Sequence, residues 1–230
     1  MTPRPLSRGL GLAAAVCLLA ACASPTPSPK PPCPTSAPTE SNARAVIGNT
    51  TALEVRTNKG AFTIQLDPSS APIAVANLVA LAECGFYDGQ SFHRVIPGFV
   101  AQVGDPQTKT DHGDFEGLGT GGSGYQFEIE FPPQGTAYAK YVVAMANGMQ
   151  YDLRTGEITT PTDSNDSQFF VMLDDAPGMW PYYSLLGEVV AGTDVVDAIG
   201  QVPTSGDPMN LPLEPVIIDE IVPSAVPQAS

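Results

Sequence analysis

The stretch Phe92 to Pro106, FHRVIPGFVAQVGDP, most narrowly limits what this chain can build, because it sets one permanent cation among apolar residues inside a tight hairpin. Two short apolar runs, Phe92 to Ile96 and Val100 to Val103, flank Pro97-Gly98-Phe99. A three-residue loop containing Gly is a favoured hairpin connection. That loop pairs Ile96 with Val100 and sets Arg94 opposite Gln102. The two polar side chains then share one face, with Phe99 at the tip. A rigid, always-charged donor beside an amide and an exposed aromatic suits a site that holds a carbonyl oxygen and an apolar ring. It does not suit a nucleophile. Taken alone, an Arg in an alternating strand is more often a solvated surface residue.

The rest of the chain narrows the setting. At 230 residues with 43% hydrophobic content, it can bury one ordinary core and carry extra segments. The formal net charge is −14. Arg4 and Arg8 are the only charges in the first 21 residues, so the remainder is more acidic still. Such acidity excludes an electrostatic nucleic-acid binder and argues against adhesion to anionic lipid, so any membrane tie has to be covalent or inserted.

The N-terminus offers such a tie. Arg4 and Arg8 precede an apolar run from Gly9 to Ala21, too short to span a bilayer but of export-signal length. It ends Leu19-Ala20-Ala21-Cys22, which resembles the bacterial lipobox. Residues 1–21 are therefore expected to be a signal peptide and Cys22 a lipidation site, with acyl chains contributing ~0.8 kcal/mol per buried CH₂. The alternative is a free Cys22 after an ordinary small-residue cleavage site. Residues 22–45 read as a Pro/Ser/Thr-rich linker with little to bury, stiff enough to hold a domain up to ~70 Å from the lipid at ~3.1 Å per residue. Cys33 lies in that tether and Cys84 at the end of a predicted helix, and both are expected to be free thiols. His93 and His112 are the only histidines, and no spacing suits zinc, so neither metal nor cofactor is implied.

Leu53 and Val55, then Phe62, Ile64 and Leu66, alternate about Asn58-Lys59-Gly60 and predict a hairpin. Pro72 opens a helix in which Ala74, Leu78, Leu81 and Ala82 recur at helical spacing, with Gly85 beyond its end. Its broad apolar surface suits a plug for an opening. Gly117, Gly119 and Gly122 satisfy G-x-G-x-x-G, but polar residues precede them and a strand-like run, Tyr125 to Ile129, follows, which is the wrong context for a dinucleotide loop. Strands are predicted over Tyr141 to Met145, Gln168 to Leu173, Tyr183 to Val190 and Pro215 to Val222, and a helix over Thr193 to Ile199.

The FHRVIPGFVAQVGDP run resembles the signature of the cyclophilin family of peptidyl-prolyl cis-trans isomerases almost letter for letter. Asn77 to Gly89, Gly119 to Gly122, Ala144 to Asn147, Ser167-Gln168-Phe169-Phe170 and Tyr183 to Gly187 follow in the family's order, so the resemblance covers roughly Thr51 to Val222. It implies a mainly β fold, a closed eight-stranded antiparallel barrel with two helices at the barrel ends. The isomerase domain is expected over 46–224, with a flexible tail at 225–230.

It also implies an activity, rotation about X-Pro bonds, with Arg94 as the catalytic donor. The implied substrate-binding residues are Phe99, Val100, Gln102, Ala146, Asn147, Gln168, Phe170, Met179 and Tyr183, the last standing where many members have His. Singly, Phe170 and Met179 would read as core and Gln102 as an exposed strand residue. His93 alternates away from Arg94 and reads as structural. Gly178 stands where many members carry Trp, which tells against strong cyclosporin binding, and an insertion of about ten residues falls within 149–166. With the export signal, the expectation is a monomeric, lipid-anchored enzyme on the extracytoplasmic face, acting on Pro-containing segments of exported proteins. Two other readings stay open, a module that holds such segments without turnover and a barrel that carries a small ligand inside.

Overall fold

Alternation gives the first hairpin its inner face. Strand β1 (Ala52–Thr57) pairs antiparallel with β2 (Gly60–Leu66), and the register sets Leu53 against Ile64 and Val55 against Phe62, all four buried. The computed structural model describes residues 1, 29–113, 116–148, 150, 152, 154, 155, 157 and 162–225. The predicted signal peptide beyond Met1, Cys22, most of the 149–161 stretch and residues 226–230 lie outside the described residues.

Helix α2 (Pro72–Glu83) begins with Pro at its first turn, where the missing N–H is not needed. Its next two amides, Ile73 N–H and Ala74 N–H, donate to the Glu130 carboxylate at 3.1 and 2.8 Å. An acidic group there also meets the positive end of the helix dipole. Eight of the helix's residues are buried, including Leu78, Val79 and Leu81, as expected of a plug. Helix α3 (Thr193–Gly200) runs one residue past its predicted end.

The remaining strands are β3 (Arg94–Ile96), β4 (Val100–Val103), β5 (Val142–Asn147), β6 (Asn165–Met172), β7 (Leu185–Ala191) and β8 (Ile218–Ser224). They form one eight-stranded antiparallel sheet in the order β3-β4-β6-β5-β7-β2-β1-β8. The expected closed barrel is corrected here. The sheet is open and curled, with β3 and β8 as its edges, and among the described residues the isolated bridge of Ser91 with Ile217 stands where a closing ladder would run. The physical reason lies in the chain that borders β3. It is the irregular run 207–217, where Pro208, Pro212 and Pro215 have no N–H to give a ladder. Single bonds substitute for a ladder there, Val95 N–H to Asn210 O at 2.8 Å and Phe92 N–H to Val216 O at 2.9 Å. The interior is filled by side chains such as Phe62, Met145, Phe169 and Leu186, none more than 1% exposed, so no space for an internal ligand remains among them.

Among the described residues, three α-helices replace the expected two. Helix α1 (Glu40–Ile47) occupies the end of the predicted linker, buries Ala43 and Ile47, and is opened by Thr39, whose N–H donates to Asn42 Oδ1 at 2.8 Å. The free thiols are corrected as well. Cys33 and Cys84 form a disulfide, with Cα atoms 5.0 Å apart. The segment before α1 lies along the domain, with Lys30 paired to Asp88 and Ala37 packed on the core, which carries Cys33 to the end of α2. Its Pro-rich composition concealed that contact.

Candidate functional site

Within β3 to β6, side-chain alternation divides two apolar clusters. Val95, Ala101, Val143, Phe169 and Val171 face the main core. Ile96, Val100, Ala144, Phe170 and Met172 face the opposite side, with Phe99, Met179 and Tyr183 packed against them. The predicted hairpin register holds, Ile96 with Val100 and Arg94 with Gln102. The ladder continues Gln102 with Phe170 on β6, Phe170 with Ala144 on β5 and Ala144 with Leu185 on β7. One row across five strands thus runs from a guanidinium into an apolar floor.

Arg94 is half-buried, and among the described residues it forms no ion pair with a carboxylate. Its Nη1 donates a long hydrogen bond to Gln102 Oε1, at 3.4 Å. Gln102 Nε2 donates to Gln168 Oε1 at 2.8 Å, and Gln168 Nε2 donates to Gly119 O and Gly121 O, each at 2.8 Å. The two amides are therefore oriented from below by loop carbonyls, and Gln102 keeps its oxygen toward Arg94. Gln168 sits beneath Gln102, buried, because Gly104 follows the end of β4, and an added Cβ there would come 2.5 Å from Gln168 Cα. The Gly-rich loop spends amides on Asp105, which accepts from Gly119 N–H at 2.8 Å and Gly121 N–H at 3.3 Å. Those amides serve a carboxylate of the protein itself.

His93, the residue before β3, is buried. Burial is the largest influence on its imidazole, and the value falls to about 4. The ring is neutral at pH 7, so the hairpin carries one cation.

Phe170 is 4% exposed and meets the Tyr183 ring edge-on, centroids 5.2 Å apart. Tyr183 is held from behind by Tyr138, a residue the sequence reading did not single out. The Tyr138 hydroxyl donates to Tyr183 O at 2.9 Å and accepts from Tyr183 N–H at 3.0 Å. Burial pushes that hydroxyl up to about 12. Phe99, Met179, Tyr183 and the exposed Trp180 line a cavity of about 440 Å³. Trp180 stacks on Tyr182, and Phe131 meets Tyr182 edge-on. Nothing lies within 4 Å of a Cβ built at Gly178, so the missing side chain leaves that rim open.

Ala146 and Asn147 end β5, where the ladder to β6 shifts register, and Asn147 Nδ2 donates to Tyr182 O at 3.0 Å. They also border a second cavity of about 270 Å³, together with Gln102, Gln168, Ser164 and Asp166. Every predicted site residue of the folded domain thus falls on one face of the sheet or directly beneath it. Among the described residues, no group of three His, Cys, Asp or Glu side chains could hold a metal ion. No described helix is long and apolar enough to cross a membrane.

Residues 52–222 match the family described as cyclophilin type peptidyl-prolyl cis-trans isomerase/CLD. The chain is 37% identical over 185 residues to peptidyl-prolyl cis-trans isomerase B of Streptomyces anulatus, covering 73% of this chain and 93% of that protein. It is 34% identical over 189 residues to peptidyl-prolyl cis-trans isomerase A of Mycobacterium tuberculosis, covering 75% and 91%. A solved cyclophilin type isomerase from Cryptosporidium parvum superimposes with a TM-score of 0.63 at 26% identity, covering 77% of this chain and 99% of that one. The same protein in the presence of the dipeptide Ala-Pro gives 0.60 at 26% identity, covering 76% and 99%. The order of motifs, the curled eight-strand sheet and the row from Arg94 to Phe170 have their common explanation in this ancestry: the chain belongs to the cyclophilin type peptidyl-prolyl cis-trans isomerases and is an enzyme of that family.

Proposed function

We propose that the enzyme turns X-Pro bonds in exported proteins on the extracytoplasmic face of the membrane, as a monomer held there by lipid on Cys22, and that Arg94 is its catalytic residue. The observation that carries the reading of the site is the placement of one guanidinium, oriented through Gln102 and Gln168, at the edge of the apolar cluster of Phe99, Val100, Phe170, Met179 and Tyr183.

Rotation about an X-Pro bond faces a barrier near ~20 kcal/mol and takes ~10–100 s unaided at 25 °C. No covalent bond breaks, so neither nucleophile nor general base is required. As the bond twists, the nitrogen lone pair leaves conjugation and becomes an acceptor. A fixed donor aimed at it stabilises the twisted state more than either planar one. The apolar cluster holds the proline ring and excludes water, and Ala146 and Asn147 offer backbone bonds to an extended segment.

The location draws support from the charged and apolar N-terminal pattern ending at Cys22, and from the Cys33–Cys84 disulfide, since such bonds persist in oxidising compartments. The disulfide also shortens the stalk. With Cys33 fixed to the domain, the chain from Cys22 could reach at most ~30 Å at ~3.1 Å per residue.

Exchange NMR on an Ala-Pro peptide tests turnover. Cross-peaks between cis and trans forms at substoichiometric enzyme are expected, whereas binding shifts without added exchange would make the protein a holder of Pro-containing segments. Mass spectrometry of the mature N-terminus tests the anchor, with an acylated Cys22 expected and a free thiol excluding it.

A further inference from the structure

Among the described residues, the cavity beside Gln102 has a single formally charged side chain in its wall, the carboxylate of Asp166. The other side chains there that carry polar atoms include Gln102, Gln126, Asn147, Ser164 and Gln168. Asp166 is built into the wall: its Oδ1 accepts from Ser123 N–H and from Ser123 Oγ–H, each at 2.6 Å. Gly122 makes room for the carboxylate, since an added Cβ would come 2.0 Å from Asp166 Oδ2. Among the described residues, no basic side chain lines the cavity. Arg94 stands on the far side of Gln102, and Arg154 is paired with Asp152. Asp163, in the loop that precedes β6, is exposed.

This cavity adjoins the face that carries Arg94 and the apolar cluster. Ala146 borders it and also packs against the cluster that contains Phe170. Gln102 borders it and is the ladder partner of both Arg94 and Phe170. A peptide whose proline sits on the apolar floor therefore has a neighbouring side chain, within about three residues at ~3.3 Å each, over the cavity mouth. At about 270 Å³ the space suits one side chain, being smaller than the ~300–1,000 Å³ of small-molecule sites.

We propose that Asp166 is a specificity-determining residue, which makes this enzyme favour segments with Lys or Arg close to the proline over segments with an acidic residue at the same place. The proposal rests on the reading that the groove beside Arg94 binds the substrate peptide. A long aliphatic stem fills the polar slot and its cation meets the anchored carboxylate, while a Glu at that position meets like charge.

The test uses short Ala-Pro peptides in which Lys, Ala or Glu is placed in turn at each of three positions before and two after the proline, with kcat/KM read by exchange NMR. At one position Lys is expected to exceed Glu about five- to tenfold. That ratio is expected to fall toward one in Asp166→Asn, whatever happens to the absolute rates, and to shrink in the unaltered protein as salt rises. The salt series decides the matter if Asp166→Asn fails to fold. Equal rates for Lys and Glu at every position, or a ratio that survives in folded Asp166→Asn, overturn the proposal. The reading beneath it fails differently: if the Ala peptides themselves are not accelerated, the groove is not an isomerase site, whereas accelerated Ala peptides with no Lys preference overturn the role of Asp166 alone.

Discussion

Arg94 and Gln102 face each other across the β3–β4 ladder, with Arg94 Nη1 3.4 Å from Gln102 Oε1. The bond is long because the amide is held from the other side by Gln168. Gln102→Leu removes the guanidinium's acceptor and leaves Gln168 Oε1 without its donor. Hydrogen bonds to charged groups contribute ~1.5–3 kcal/mol, so kcat/KM for an Ala-Pro peptide should fall at least about tenfold with the circular dichroism spectrum unchanged. An unchanged kcat/KM would mean that Gln102 does not orient Arg94.

Tyr138 supports the groove without entering it. Tyr138→Phe deletes both hydrogen bonds to the Tyr183 backbone and should cost ~1–3 kcal/mol of stability, read as a lower urea midpoint. The loosened Tyr183 wall should appear as a raised KM with a smaller effect on kcat.

His93 ties stability to acid. Its folded-state value, lowered to about 4, lies below the ordinary 6.5, so between those pH values the unfolded chain binds a proton that the folded one excludes. Its contribution is intact above pH 6.5 and is lost as pH falls through that window, by up to ~3 kcal/mol. Urea midpoints at pH 7 and 4.5 should diverge more in the unaltered protein than in His93→Gln. Equal divergence would show that other groups carry the acid sensitivity.

Cys33 and Cys84 join the segment before α1 to the end of α2, a sequence separation of 51 residues. Replacing both by Ser should cost ~2–4 kcal/mol and expose the segment before α1 to proteolysis, while kcat/KM stays the same because neither residue borders the groove. Loss of activity in a folded double variant would mean that the staple shapes the site.

What the sequence revealed followed the range of each signal. The Arg94–Gln102 register was readable because loop length and alternation are local, and the ends of α2 were marked by Pro72 and Gly85. Helix α1 was hidden because only Ala43 and Ile47 of its turns are buried, beside a Pro-rich run that suggests no packing. Closure of the sheet was misread because the run beside β3 contributes single bonds rather than a strand. Tyr138 and Asp166 carry no local pattern. They matter through Tyr183 and Ser123, 45 and 43 residues away in sequence, and the fold alone brings those pairs together.

The central claim is that one guanidinium supplies the transition-state hydrogen bond. The most direct test is kcat/KM for an Ala-Pro peptide, by exchange NMR, in the unaltered protein and in Arg94→Ala. Removing such a donor should lower the rate by ~10²–10³ while the variant keeps its fold and its affinity for the peptide. Full activity in folded Arg94→Ala would contradict the mechanism.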